Sequence, residues 1–216
     1  MLAYHTYYGP NSKQDTMFLL ENMYLTQGEN GGYSHQGTLA MDFMGVDNNG
    51  IRVYNCPYYA PCDLELVATP DWSNHIYVYT SLVDVNFVDG TIGRFTIQVN
   101  HDPNTYSIGR RVNQGDILGY TGTYGTYVSG DHVHVEAKRG YWEGLYRNSQ
   151  GVWCMLNADH LYNLMGVNDT GLFETGGYNW RTYSGVTPGP TPTVQSKPPT
   201  RGFPWPIYAR KLRGQR

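Results

Sequence analysis

Between residues 51 and 100 the chain is a run of short alternating segments, at 51–54, 64–69, 75–80, 82–88 and 94–100. Turn clusters at 57–61, 70–74 and 89–93 cut them apart. A regular series of short strands with turn signals between them is the signature of an antiparallel sandwich or barrel. Composition agrees. The 216 residues include 20 Tyr and 26 Gly, and 15% are charged. Aromatic residues favour strands and glycine supplies tight turns. The length suits one domain with a full core plus appendages.

Three stretches, one of them the last of that series, read as strands that carry chemistry. In Ser129-Gly130-Asp131-His132-Val133-His134-Val135-Glu136, alternate side chains share a face, so His132 and His134 point one way while Val133 and Val135 enter a core. From the motif alone, half of a metal site and two solvated histidines are both open readings. Residues 38–44 form an apolar run broken by Asp42. An acid there is costly unless paired, hydrogen-bonded or metal-bound; the plain alternative is an Asp that satisfies a nearby turn. Residues 95–101 end in His101 just as the strand gives way to Asp102-Pro103-Asn104, a strand end beside a loop where chemistry is common.

The remaining chain is read more coarsely. Ser12 with Asp15 can cap a short helix, whereas residues 23–27 read as a strand. Residues 112–119 form a turn between two short strands, with Gly115 in the strained position. Residues 141–184 are aromatic and irregular, with a short helix at 158–165. A polyproline-like linker follows from residue 187. The expected divisions are an N-terminal segment (1–22), a core (23–140), an aromatic extension (141–186), and a Pro-rich linker with a basic tail (187–216).

Cys56, Cys62 and Cys154 are an odd set without zinc-knuckle spacing, and free, partly buried thiols are expected. No apolar run approaches the roughly 20 residues of a membrane span. Residues 1–5 show no basic region followed by an apolar stretch, so no secretory signal is expected, and the protein works in the cytosol or leaves by another route. Residues 187–216 hold six basic residues and no acidic one, while residues 1–186 hold nine basic and 18 acidic. A basic tail on an acidic body suits an anionic polymer or partner; a merely solubilising tail is the alternative.

Taken together, the polar outliers are His35, Asp42, His101, His132 and His134. Zinc takes about four N, O or S ligands, and a catalytic site keeps one position open. Two imidazoles and a carboxylate suffice, which leaves two histidines for acid–base work. The ordered set, with Gly115-Asp116-Ile117-Leu118-Gly119 and with Gly122-X-X-Gly125 leading to Gly130-Asp131-His132-Val133-His134-Val135-Glu136, resembles the M23 (LytM/lysostaphin-type) zinc metalloendopeptidases, which cut peptidoglycan peptides. The resemblance spans residues 23–138.

The resemblance implies a mainly β fold, an antiparallel sheet or sandwich of the duplicated-hybrid-motif type with long loops around a groove and an irregular C-terminal extension. It implies His35, Asp42 and His134 as zinc ligands and His101 and His132 as catalytic residues. Two departures stand out. Six residues separate His35 from Asp42 where the family has three, and Asp131 replaces the usual Pro. The isolated His5, His75 and His160 are assigned structural or surface roles.

The expected function is zinc-dependent cleavage of stem-peptide or cross-bridge bonds in bacterial peptidoglycan. A phage lysin released from the host cytoplasm with holin help, or a virion-associated wall hydrolase, would fit. The expected partners are peptidoglycan and, through the basic tail, anionic wall polymers or virion proteins, with no nucleic acid. The alternatives are a non-catalytic peptidoglycan-binding module and a structural virion protein on the same fold.

Overall fold

The computed structural model describes residues 7–20, 22–126, 128–166 and 173–175. Fifteen strands appear in chain order: β1 (Met23–Gln27), β2 (Met41–Val46), β3 (Arg52–Val53), β4 (Pro57–Tyr59), β5 (Leu64–Asp71), β6 (Ile76–Ser81), β7 (Val85–Asn86) and β8 (Ile92–Gly93). They continue with β9 (Phe95–Asn100), β10 (Arg111–Val112), β11 (Ile117–Tyr120), β12 (Val133–Arg139), β13 (Leu145–Arg147), β14 (Trp153–Met155) and β15 (Phe173–Thr175). The α-helix among the described residues is one short turn, α1 (Leu161–Leu164).

The main sheet runs β10-β5-β6-β9-β12-β2-β1-β15, with β3 also pairing β2. Its pairs are antiparallel except β1 with β15. The molecule is therefore mainly β and antiparallel, as the series of short segments implied. β12 lies at the centre between β9 and β2.

Alternation along these strands gives the sheet two unlike faces. Met41, Phe43, Tyr77, Tyr79, Ile97, Val99, Val133, Val135 and Ala137 enter one apolar core with Phe18, Leu19 and Leu25. Phe43 meets Phe18 edge-on at 4.9 Å between ring centres. Full burial of an aliphatic or aromatic side chain contributes about 1.5–3 kcal/mol, so this face anchors the sheet. The other face carries Asp42, Thr96, Gln98, Asn100, His134, Glu136 and Lys138, all buried. The β13–β14 hairpin lies over part of it, with Trp142, Leu145 and Trp153 packed on Ile76, Val78 and Met155.

Several local expectations need correction. The strand expected from residue 38 begins at Met41. The segment at 82–88 forms a strand only at Val85–Asn86, paired with Ile92–Gly93, which lie inside the turn expected at 89–93. No helix starts at Ser12. Residues 14–16 are instead held by Asn86, whose N–H donates to the Gln14 carbonyl (2.8 Å) and whose carbonyl accepts from the Thr16 N–H (3.1 Å). The Asn86 side-chain amide donates to Asp15 Oδ1 at 2.7 Å, so the carboxylate assigned to a cap is engaged by a distant residue. The helix expected at 158–165 narrows to α1. Gly115 does take a left-handed φ of 82°, and the three cysteines are free. The linker and basic tail at 187–216 lie outside the described residues. Among the described residues, no helix is long and apolar enough to cross a membrane.

Candidate metal centre

Strand register brings the first two groups together. His134 lies opposite Asp42 on β2 and opposite Asn100 on β9, so the three form one row across the buried polar face. Cross-strand neighbours of this kind have Cβ atoms about 4.5–5.5 Å apart. His134 Nδ1 is 3.1 Å from Asp42 Oδ1. His35 arrives from the loop before β2, and its Nε2 is 3.2 Å from both His134 Nδ1 and Asp42 Oδ1. The three atoms thus form a nearly equilateral triangle made by three buried residues. Ligands at about 2.0–2.1 Å from a tetrahedral ion are themselves about 3.3 Å apart, so the triangle is the size of one face of such a tetrahedron.

The protons around the triangle are set from behind. His35 Nδ1 is 3.1 Å from the Gly28 carbonyl. A carbonyl only accepts, so Nδ1 carries the hydrogen and Nε2 turns a lone pair inward. His134 Nε2 is 3.1 Å from Glu136 Oε1, which likewise leaves the Nδ1 lone pair facing Asp42. A carbonyl or carboxylate behind a ligating imidazole is the usual way in which a metal site fixes tautomer and orientation. Three acceptor atoms converging at 3.1–3.2 Å repel one another unless a cation or a proton lies between them. The donor set therefore fits a divalent ion of the zinc kind.

The electrostatics point the same way. Burial works against the charge of Asp42, yet the charge of His35 and hydrogen bonds from His134 and His35 hold its carboxyl well below the usual range. Burial also opposes a charge on His134, but Asp42 and Glu136 outweigh it and raise its pKa to about 10. The site thus demands positive charge, met by a proton when no metal is bound. A metal ion must displace that proton, so acid weakens metal binding.

Two more imidazoles stand beside the triangle. His132 Nε2 is 3.6 Å from Asp42 Oδ1, and the His101 and His132 rings are 4.8 Å apart. Their Nδ1 atoms donate to the carbonyls of Tyr124 and Gly130, each at 2.7 Å, which frees both Nε2 lone pairs. Burial first, then the positive charge of His132 and His134, lowers the His101 pKa to about 3. His101 takes a φ of 77° as the chain leaves β9, a conformation that costs a non-glycine residue of order 1–3 kcal/mol and clusters at functional sites. Gly122 sets the spacing of the pair. It exchanges two 3.0 Å backbone hydrogen bonds with His132, and a Cβ there would collide with the His101 carbonyl.

The structure therefore brings together all five residues singled out from the sequence. The arrangement fits an M23-type zinc peptidase. No protein-family model matches the chain. It is 32% identical over 176 residues to Morphogenesis protein 1 of Bacillus phage B103, across 81% of this chain and 46% of that protein. The chain thus spans less than half the length of this curated relative. Among solved structures, it is similar to a zinc-containing peptidase from Vibrio cholerae, with a TM-score of 0.39 and 13% identity over 62% of this chain and 43% of that one. It is also similar to the catalytic domain of lysostaphin from Staphylococcus simulans, with a TM-score of 0.34 and 20% identity over 58% of this chain and 80% of that one.

The two departures from the family pattern have structural accounts. The loop that carries His35, lengthened here before Asp42, is clamped on both sides of the histidine by the β13–β14 hairpin. Asn148 Nδ2 donates to the Ser34 carbonyl (2.8 Å), Gln150 Nε2 to those of Gly32 and Tyr33 (2.9 Å each), and Tyr146 Oη to that of Gly37 (2.8 Å). Asp131, in place of the usual Pro, accepts from Thr121 Oγ1 (2.5 Å) and the Asn55 N–H (3.1 Å), fastening the start of the His-X-His segment.

Sequence reasoning gave no role to Glu136, which is wholly buried. Besides His134 it accepts from Thr38 Oγ1 at 2.9 Å and from the Met155 N–H at 3.0 Å. It thereby ties β12 to the His35 loop and to β14. The period of two through His132, His134 and Glu136 was the available signal. The cleft over the triangle, about 310 Å³, is also lined by Asp71, Ser73, Asn74 and Thr126, and by Arg147 and Trp153 of the hairpin. The turn at 71–74 and the hairpin had not been expected as walls. His75 donates from Nδ1 to the Asp102 carbonyl at 2.5 Å, and His160 pairs with Glu29 at 2.8 Å, so both have structural partners.

Proposed function

We propose that the chain is a zinc-dependent endopeptidase of the M23 type that hydrolyses peptide bonds in bacterial peptidoglycan. The reading rests on one observation: two imidazoles, each held from behind, and a carboxylate meet in a triangle of 3.1–3.2 Å edges with two further imidazoles beside it. His35, Asp42 and His134 would hold the ion, and a zinc ion there supplies a Lewis acid at the cleft floor.

His101 and His132 line the same cleft, each with Nδ1 tied to a main-chain carbonyl. Between them they orient the attacking water, take its proton and return it to the leaving amine. Once protonated, the imidazolium stabilises the developing oxyanion. The low pKa of His101 keeps that ring a hydrogen-bond acceptor throughout the neutral range. The phage relative is named a morphogenesis protein, which supports a wall hydrolase that travels with the virion over a lysis enzyme released through a holin.

The test is fragment mass spectrometry on several defined peptidoglycans, with elemental analysis of the purified protein. One zinc per chain and chelator-sensitive peptide-bond cleavage are expected. A metal-bound protein that releases no fragment from any of them would overturn the endopeptidase reading in favour of a non-catalytic wall-binding module.

A further inference from the structure

Arg147 is the one Lys or Arg side chain among the described residues lining the cleft. It sits at the end of β13 opposite Trp153. Its guanidinium lies 4.0 Å from the centre of the Trp153 ring, and one amino group donates to the Gly151 carbonyl at 2.6 Å. Stacking and that bond hold the fork in place, while its other N–H groups have no partner among the described residues. A planar fork held ready in this way suits a carboxylate.

Two carboxylates share the lining, and Asp42 is engaged in the triangle, so Asp71 is the acid left on the walls. Asp71 belongs to the turn beside Asn74, and its oxygens already accept from Ser73 and Asn74. Burial works to raise its pKa, but the hydrogen bonds from Ser73 and Asn74 together outweigh it and lower the pKa below the usual carboxylate value. On its walls, away from the triangle, the cleft thus presents one available cation on the hairpin and one hydrogen-bonded anion on the turn. A peptide carrying a negative branch is drawn to the first and repelled from the second.

We propose that Arg147 is a specificity-determining residue that seats a free carboxylate of the substrate peptide, so the preferred substrates are acidic stem peptides rather than their amidated forms. This rests on the endopeptidase reading for its substrate class. Two stem peptides are compared, identical except that the α-carboxylate of the glutamyl residue is free in one and amidated in the other. Calorimetry on the metal-loaded protein reads binding, and mass spectrometry reads cleavage in the same samples. The native chain binds the free-carboxylate peptide about fivefold more tightly, the range of a part-exposed ion pair. Arg147→Gln binds both alike, and Arg147→Lys keeps part of the preference. Equal binding by the native chain, or a preference that survives in Arg147→Gln, overturns the proposal. A binding preference with no cleavage of either peptide leaves the carboxylate seat standing and removes the endopeptidase reading.

Discussion

The two faces of the central sheet are built by the same strands and do opposite things. On β12, Val133, Val135 and Ala137 fill the apolar core, and the residues between them, His134 and Glu136, face the candidate metal centre. On β2, Met41 and Phe43 do the first job and Asp42 the second. The apolar face gains from burial alone and tolerates changes that keep volume. The polar face is buried as well, and gains nothing from burial unless every group finds its partner. One face holds the rows at fixed spacing so that the other can hold three acceptors close together.

Substitutions on the two faces should therefore fail in different ways. The largest effect is expected from Asp42→Ala or His134→Ala. Each removes one corner of the triangle, so metal content falls below stoichiometry and peptidoglycan turnover drops by about a thousandfold or more. Elemental analysis beside a turnover assay checks this, and full metal retention in Asp42→Ala would place the ion elsewhere. His101→Ala should lower turnover by about 10²–10⁴-fold with metal still bound; unchanged turnover would strip that ring of its role.

Phe43→Ala, on the apolar face, should cost about 3–5 kcal/mol of stability in urea unfolding. The fraction that remains folded should bind metal as before, and a matching loss of metal affinity would erase the distinction between the faces. Glu136→Gln should weaken metal binding by about 10–100-fold, measured by competition with a chelator.

The smallest effect is a pH dependence of the metal-free protein, seen in chelator. Burial holds the folded His101 pKa at about 3, below the ordinary 6.5, so the unfolded chain binds the extra proton. That stability is lost as pH falls from 6.5 toward 3. His134 is raised to about 10 through Asp42 and Glu136, so its contribution is complete below 6.5 and is lost as pH rises toward 10. Urea midpoints across this range should show both limbs, and His101→Asn should remove only the acid one.

Much of this was legible from alternation. The period of two placed His132 and His134 on one side and the valines on the other. A lone carboxylate in an apolar run marked Asp42, and a strand running out into a loop marked His101. What alternation cannot supply is register, because which residue faces His134 depends on strands about 35 and 90 positions away. The Glu136 contacts and the hairpin clamp were hidden for the same reason: their partners lie from 19 to 118 residues apart. The helix start read at Ser12 failed because a local cap signal lost to a distant asparagine.

Three of the four imidazoles at the centre, His35, His101 and His132, take their tautomer from a main-chain carbonyl. A carbonyl is the one partner that point mutation cannot delete. The side chain of Tyr124 can therefore drift, or be altered by design, without reversing which nitrogen of His101 offers its electrons. Reshaping the walls for new substrates is then a matter of preserving the path of three loops, and the chemistry at the floor should survive it.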